Sequence, residues 1–235
     1  MAVICDRARI AYFPVPKAAC TSLKTLFWEI NHGRARPGRP SFGTRMRRKF
    51  GLNIVGETLQ TEEGYRTEDF DPGILLPPGY ERVAVVRDPL ARLCSAWSSK
   101  VNRKMFERHQ EVEKLEALGL NSSPSFADFV DHFDQYRVHS VPVTRHTGGF
   151  PQYLGEDLEW YTRVFPIEQL GDLETYLRQR TNADLHIPVR NKSRPELRDK
   201  SLEPRHQDKL ATILAADYRL LSNYYTFDDA IRKFL

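Results

Sequence analysis

Cysteine is scarce in this 235-residue chain: Cys5, Cys20 and Cys94 are odd in number, lie far apart, and include no CxxC pair. That excludes a disulfide framework and a cysteine-based zinc knuckle, and it fits a reducing, cytoplasmic setting. Long apolar runs are missing as well. No stretch approaches the roughly 20 residues of a membrane span, and Met1 leads into Ala-Val-Ile-Cys-Asp-Arg without a signal-peptide pattern. Glycine and proline, at 13 and 15 residues, are too few for a low-complexity chain, while 40% apolar content is enough for a core. The length suits one α/β domain over 1–235. A net charge of +4 points to an anionic partner without naming it.

Hydrophobic periodicity supplies the fold class. Arg9 to Val15 reads as a short strand, and Leu23, Leu26, Phe27 and Ile30 then repeat at helical spacing. A second such unit begins with Glu81-Arg-Val-Ala-Val-Val, a β-branched run suited to a strand buried on both faces. Asp88 is placed to cap the following helix, with Pro89 at its first position and the helix running to about Arg103. Further helices are expected at about 109–118, 124–135, 169–180 and 204–222, and a third core strand at Trp160 to Phe165. Strands alternating with helices predict a mostly parallel central sheet flanked by helices.

The first turn of that sheet, Pro14-Val-Pro-Lys-Ala-Ala-Cys-Thr-Ser22, lacks the glycines of a phosphate loop. It still leads from a strand into a helix start, where unpaired N–H groups and the helix dipole favour an anion. Ala18, Ala19 and Cys20 keep the side chains small, Lys17 adds charge, and the hydroxyls of Thr21 and Ser22 are donors. GxxxxGK[ST] is not present, because the lysine precedes the small residues. A plain reading stays open at this point, in which Lys17 is a surface residue and Thr21 only caps the helix.

The second turn is Val85-Val-Arg-Asp-Pro-Leu-Ala-Arg-Leu-Cys-Ser-Ala-Trp97. Arg87 ends a buried strand at the sheet's ligand edge. On the next helix Arg92, Ser95 and Ser99 share a face, roughly opposite Leu93, Trp97 and Val101. Arg87 with Ser95 offers a two-point clamp for a second phosphate; the plain reading, in which Arg87 pairs with Asp88 or a neighbouring carboxylate and Ser95 faces solvent, stays open at this point.

Taken together, PKxxxTS and VRDPxxRxxSAW resemble the two nucleotide-binding signatures of the sulfotransferase superfamily, in particular its carbohydrate sulfotransferase (family 2) branch. Two later segments agree: Arg145-His146 through Pro151-Gln152-Tyr153, and Ala215-Ala-Asp217-Tyr218 through Tyr225. The resemblance implies a P-loop-like fold and 3′-phosphoadenosine 5′-phosphosulfate (PAPS) as sulfuryl donor, with no metal. It implies that Lys17, the Ala18, Ala19 and Cys20 backbone, Thr21 and Ser22 hold the 5′-phosphosulfate, that Arg87 and Ser95 hold the 3′-phosphate, and that Lys192 and Arg194, with Arg190, close over the nucleotide. Anchored members of the branch carry an N-terminal span and stem. Here the first signature begins at Pro14, so a compact soluble enzyme is expected.

Transfer to a hydroxyl needs a base within hydrogen-bond reach. Glu57 and His146 rank level for that role, ahead of Glu62, Glu63 and Glu68. The acceptor is left open among a carbohydrate, a lipid and a small molecule. A run of seven positive charges from Arg34 to Lys49, with no acidic residue between Glu29 and Glu57, is a candidate acceptor surface for an anionic one. Nucleic acid is not expected, since the run carries few aromatics and no recognition motif. The competing reading is a small-molecule kinase or other nucleotide phosphotransferase on a related sheet.

Overall fold

The computed structural model of the chain describes residues 2–34, 62–187 and 202–234. Within them one sheet has the spatial order β1 (Val3–Cys5), β2 (Ile10–Phe13), β3 (Glu81–Val86), β4 (Arg163–Pro166). β2, β3 and β4 run parallel, and β1 is an antiparallel edge. The α/β sheet expected from the sequence is therefore observed, with β1 as an addition too short to show a period.

The helices in chain order are α1 (Cys20–His32), α2 (Pro89–Lys100), α3 (Arg103–Arg108), α4 (Val112–Ala117), α5 (Phe126–Asp131), α6 (Phe133–His139), α7 (Val141–Thr147), α8 (Phe150–Leu154), α9 (Leu170–Thr181), α10 (Pro204–Leu220) and α11 (Phe227–Phe234). None of the described helices is long and apolar enough to cross a membrane.

Strand alternation divides the core. Ile10, Tyr12, Val83 and Val85 point to one face, where Leu23, Leu26 and Phe27 of α1 and Leu173 and Leu177 of α9 cover them. Ala11, Phe13, Ala84 and Val86 point to the other, against Phe150, Tyr153 and Leu154 of α8. A third cluster joins α2 to the small helices and α10 through Leu90, Leu93, Phe106, Phe126, Phe129, Tyr136, Leu210 and Leu214. It carries most of the structure that follows the second turn.

Element ends differ from the sequence reading for local reasons. β2 stops at Phe13 because Pro14 and Pro16 have no N–H to pair. α2 stops at Lys100 rather than near Arg103, because Asn102 takes the N–H of Met105 and starts a new helix. The helix expected at 124–135 breaks at His132 into α5 and α6. The strand expected at 160–165 begins later, since Trp160 and Tyr161 turn edge-on to Phe13 and fill the core instead of pairing. Asp88 caps α2 as expected, its carboxylate accepting the Ala91 N–H at 2.8 Å. Such a cap contributes about 1 kcal/mol.

Candidate active site

Both turns lie at the C-terminal ends of parallel strands, β2 and β3, where an α/β sheet presents its ligand site. In the first turn Lys17 and Ala19 both have positive φ, 68° and 57°. For a residue with a Cβ that conformation costs about 1–2 kcal/mol, and two of them in one short turn mark a backbone held against its preference. Alternating backbone hand gathers N–H groups into an anion-binding concavity. Ala19 is also the N-cap of α1, and it has no side-chain oxygen to cap with. The simple capping reading of Thr21 is therefore set aside: Thr21 lies inside α1, its carbonyl accepting the Thr25 hydroxyl. Ala18 and Ser22 are buried, Lys17 and Cys20 are half-buried, and Thr21 is exposed.

Arg87 joins the two turns. Its Nη1 donates to the carbonyl of Lys17 at 3.2 Å, across 70 residues of sequence. Lys17 in turn reaches α2, where its Nζ donates to Ser99 Oγ at 2.8 Å. Ser99 also donates to the Ser95 carbonyl at 2.8 Å. Ser95 itself is buried at 6% exposure, one turn behind.

Positive charge accumulates at this spot. The Lys17 ammonium is lowered to about 8 by burial, then by Lys100 and Arg87, with Cys20 opposing. Lys100 is lowered by burial and by Arg108. His146, on α7 across from α2, is pushed down to about 4 by burial and by Lys100, Lys17 and Arg145, against the opposing effect of its bond to Pro142. These values say that the groups are crowded by cations and short of water. His146 Nδ1 lies 2.7 Å from the Pro142 carbonyl. A carbonyl only accepts, so Nδ1 carries the proton and Nε2 keeps its lone pair.

The late segments hold this arrangement together. Asp217 of α10 accepts from the Phe150 N–H at 2.6 Å and pairs with Arg92 at 3.2 Å. Arg92 also donates to the Gly148 carbonyl at 2.6 Å and lies over the Phe150 ring. Tyr218 donates to the Asp88 carboxylate and accepts from the Leu90 N–H. Arg92, like Ser95 on the same helix face, is buried, at 2% and 6% exposure. The Arg92 Nη2 makes both bonds, to Gly148 and to Asp217, while its Nε and Nη1 have no hydrogen-bond partner among the described residues.

A family model described as "Sulfotransferase family" matches residues 1–230. The chain belongs to the sulfotransferase family. No curated protein and no solved structure matches it. In this sulfotransferase the two turns and both late segments lie within the matched residues.

Glu57, Arg190, Lys192, Arg194 and the basic run beyond Arg34 fall outside the described residues. Of the remaining acids, Glu62 accepts from Trp28 Nε1 at 2.9 Å, Glu63 is exposed, and Glu68 acts electrostatically on Lys24. Lys24 was missed by the sequence reading. It is fully buried on α1, donates to Thr67 Oγ1 at 2.7 Å, and is lowered to about 8 by burial. Ser99 and Lys100 were also missed as site residues, although Ser99 shares the helical face on which Ser95 was read. All three cysteines are free, and Cys94 is packed inside α2's buried side. No cluster of three metal-ligating side chains occurs among the described residues. The cleft along β4, about 450 Å³ in volume and lined by Glu156, Glu159, Arg163, Arg219 and Tyr224 among others, contains none of the predicted site residues.

Proposed function

We propose that this sulfotransferase moves the sulfuryl group of PAPS to a hydroxyl of a carbohydrate, lipid or small-molecule acceptor. The observation that carries the reading is the bond from Arg87 to the Lys17 carbonyl, which brings the two strand-end turns together. An uncapped helix start, a strained turn and a cluster of cations fit a polyanionic donor.

PAPS supplies an activated sulfuryl group; transfer forms a bond from the acceptor oxygen to sulfur and breaks the bond between sulfur and the bridging oxygen. Lys17, with the N–H groups of Ala18, Ala19 and Cys20 and the hydroxyls of Thr21 and Ser22, binds the 5′ end and stabilises the oxygen that leaves. Arg87 and Ser95 hold the 3′-phosphate, and Lys192 and Arg194 cover the nucleotide. His146 Nε2 takes the acceptor proton. An anionic donor beside Lys17 and Lys100 offsets the cations that depress the imidazole, and so raises its basicity at the moment it is needed. Glu57 is the alternative base. The cation excess favours an acidic acceptor, and a cytoplasmic location belongs to the same reading.

The test is incubation with sulfur-labelled PAPS and a panel of hydroxyl acceptors in the presence of a chelator. Label appearing on an acceptor supports the reading. Phosphoryl transfer from magnesium ATP to the same panel, with none from PAPS, establishes the phosphotransferase instead.

A further inference from the structure

α7 is seven residues long, far below the length at which a helix holds itself in water. Both of its ends are fixed by buried charged side chains. At the start, the Glu111 carboxylate accepts the Ser140 hydroxyl at 2.6 Å through Oε2 and the Val141 N–H at 2.9 Å through Oε1. At the finish, Arg92 donates to the Gly148 carbonyl, the residue that follows the last turn. Glu111 is 8% exposed and Arg92 2%. Burying a carboxylate and a guanidinium carries a desolvation cost that an apolar contact between helices avoids.

Apolar packing sets a helix against its neighbours but leaves sliding and rotation loosely defined. A carboxylate that accepts its first N–H and a guanidinium that donates to the carbonyl after its last turn fix both. Glu111 comes from a different part of the chain, the turn between α3 and α4, and its own backbone is tied down by bonds to Phe106 and Leu115. The anchor is therefore independent of α7. What α7 bears in its last turn is His146, whose ring is oriented by the Pro142 carbonyl one turn back, so any shift of the first turn moves the imidazole with it.

We propose that Glu111 is a positioning residue for His146: it fixes the first turn of α7 and thereby holds the imidazole in the field of Lys17 and Lys100. Its catalytic consequence rests on the reading of His146 as base; its geometric content does not. The charged groups around the imidazole are Lys17 from the first turn, Lys100 from α2 and Arg145 from α7 itself, while Arg137 of α6 packs beside α7 through its carbonyl, which accepts the Thr144 hydroxyl. Glu111 acts through the helix and not by contact with the ring.

The test is a proton NMR titration of the histidines in the full chain, with His146 assigned by the resonance lost in His146→Gln. In the wild type this ring, depressed by burial and by Lys100, Lys17 and Arg145, is expected to titrate near 4. In Glu111→Ala the released helix lets water reach the ring, and the midpoint rises by about one unit or more toward the ordinary 6.5. Glu111→Gln, whose amide oxygen still accepts the Val141 N–H, stays within about 0.3 of wild type. The dissociation constant of adenosine 3′,5′-bisphosphate changes less than about threefold in both, because neither alters the nucleotide turns. A folded Glu111→Ala with an unmoved His146 midpoint overturns the proposal. If that variant does not fold, Glu111→Leu, which fills a similar volume but offers an acceptor to neither Ser140 nor Val141, is read instead, and an unmoved midpoint there overturns it equally. Turnover of His146→Gln decides the base assignment separately: full activity there removes the base and leaves the positioning intact.

Discussion

Lys17 Nζ donates to Ser99 Oγ at 2.8 Å, a contact between the turn after β2 and the end of α2 that spans 82 residues of sequence. Ser99 spends its own proton on the Ser95 carbonyl, so toward Lys17 it is purely an acceptor. The ammonium is thereby held at the mouth of the strained turn while Arg87 holds that turn's carbonyl from the other side. One lysine and one arginine from two strand ends, with one serine from the end of α2, form a single unit.

That unit divides binding from chemistry. Lys17→Ala is expected to lower turnover by at least about a thousandfold, in the range seen when a key electrostatic donor is removed, while keeping bisphosphate affinity within about tenfold. Arg87→Ala is expected to lose both, because the guanidinium, the proposed phosphate ligand, also supports the Lys17 backbone. Calorimetric titration and label transfer measured side by side separate the two outcomes.

Donor affinity should depend on pH through Lys17. Its folded, unliganded value of about 8 lies below the ordinary 10.5, so the free site carries the charge below pH 8 and loses it above. Affinity for the bisphosphate is expected to be flat below about pH 7 and to fall above pH 8, by no more than about tenfold in total. Lys17→Arg, which stays charged, flattens the curve in that range. His146 works in the acid range: its folded value is depressed, so its contribution to stability is present above about 6.5 and is lost as pH falls toward 4.

The Arg92–Asp217 pair should behave as architecture. Both side chains are nearly fully buried, at 2% and 4% exposure. Asp217→Ala leaves a guanidinium without its counter-charge and frees the Phe150 N–H, and is expected to destabilise by about 3–5 kcal/mol. Denaturant unfolding monitored by tryptophan fluorescence measures it. A loss below about 1 kcal/mol would show that the late segments do not carry the site's framework.

Ala19 offers a test of the turn itself. With φ at 57° and no capping side chain, it sits where glycine carries no penalty. Ala19→Gly is expected to be neutral or to stabilise by up to about 1 kcal/mol, with bisphosphate binding retained. Ala19→Val, β-branched at positive φ, is expected to destabilise and to weaken binding together. Thermal melts with and without the bisphosphate report both effects.

Much of this was legible in the sequence because the informative signals are local. The β-branched run at 81–86, the Asp88-Pro89 helix start and the small residues after Lys17 each determine their own neighbourhood, and together they place Lys17 and Arg87 at adjacent strand ends. The partner of Arg92 was not legible, because helical spacing gives a direction around an axis and not what fills that direction; here it is Asp217, 125 residues away. Ser99 was seen on the right face but not as the partner of Lys17, since the bond depends on how α2 packs over the first turn. Lys24 lies between Leu23 and Thr25 in a helix and has no local mark of burial. Trp160 and Tyr161 read as strand because aromatic residues favour strands, yet their rings serve better as core filling beside Phe13.

The central claim is that two strand-end turns form one site for a bisphosphorylated nucleotide. Isothermal titration with adenosine 3′,5′-bisphosphate, in chelator and without divalent metal, tests it most directly. The account predicts one saturable site in the wild type and at least about a tenfold loss of affinity in Arg87→Ala. Absence of binding to the wild type, or equal affinity in the two proteins, would contradict it.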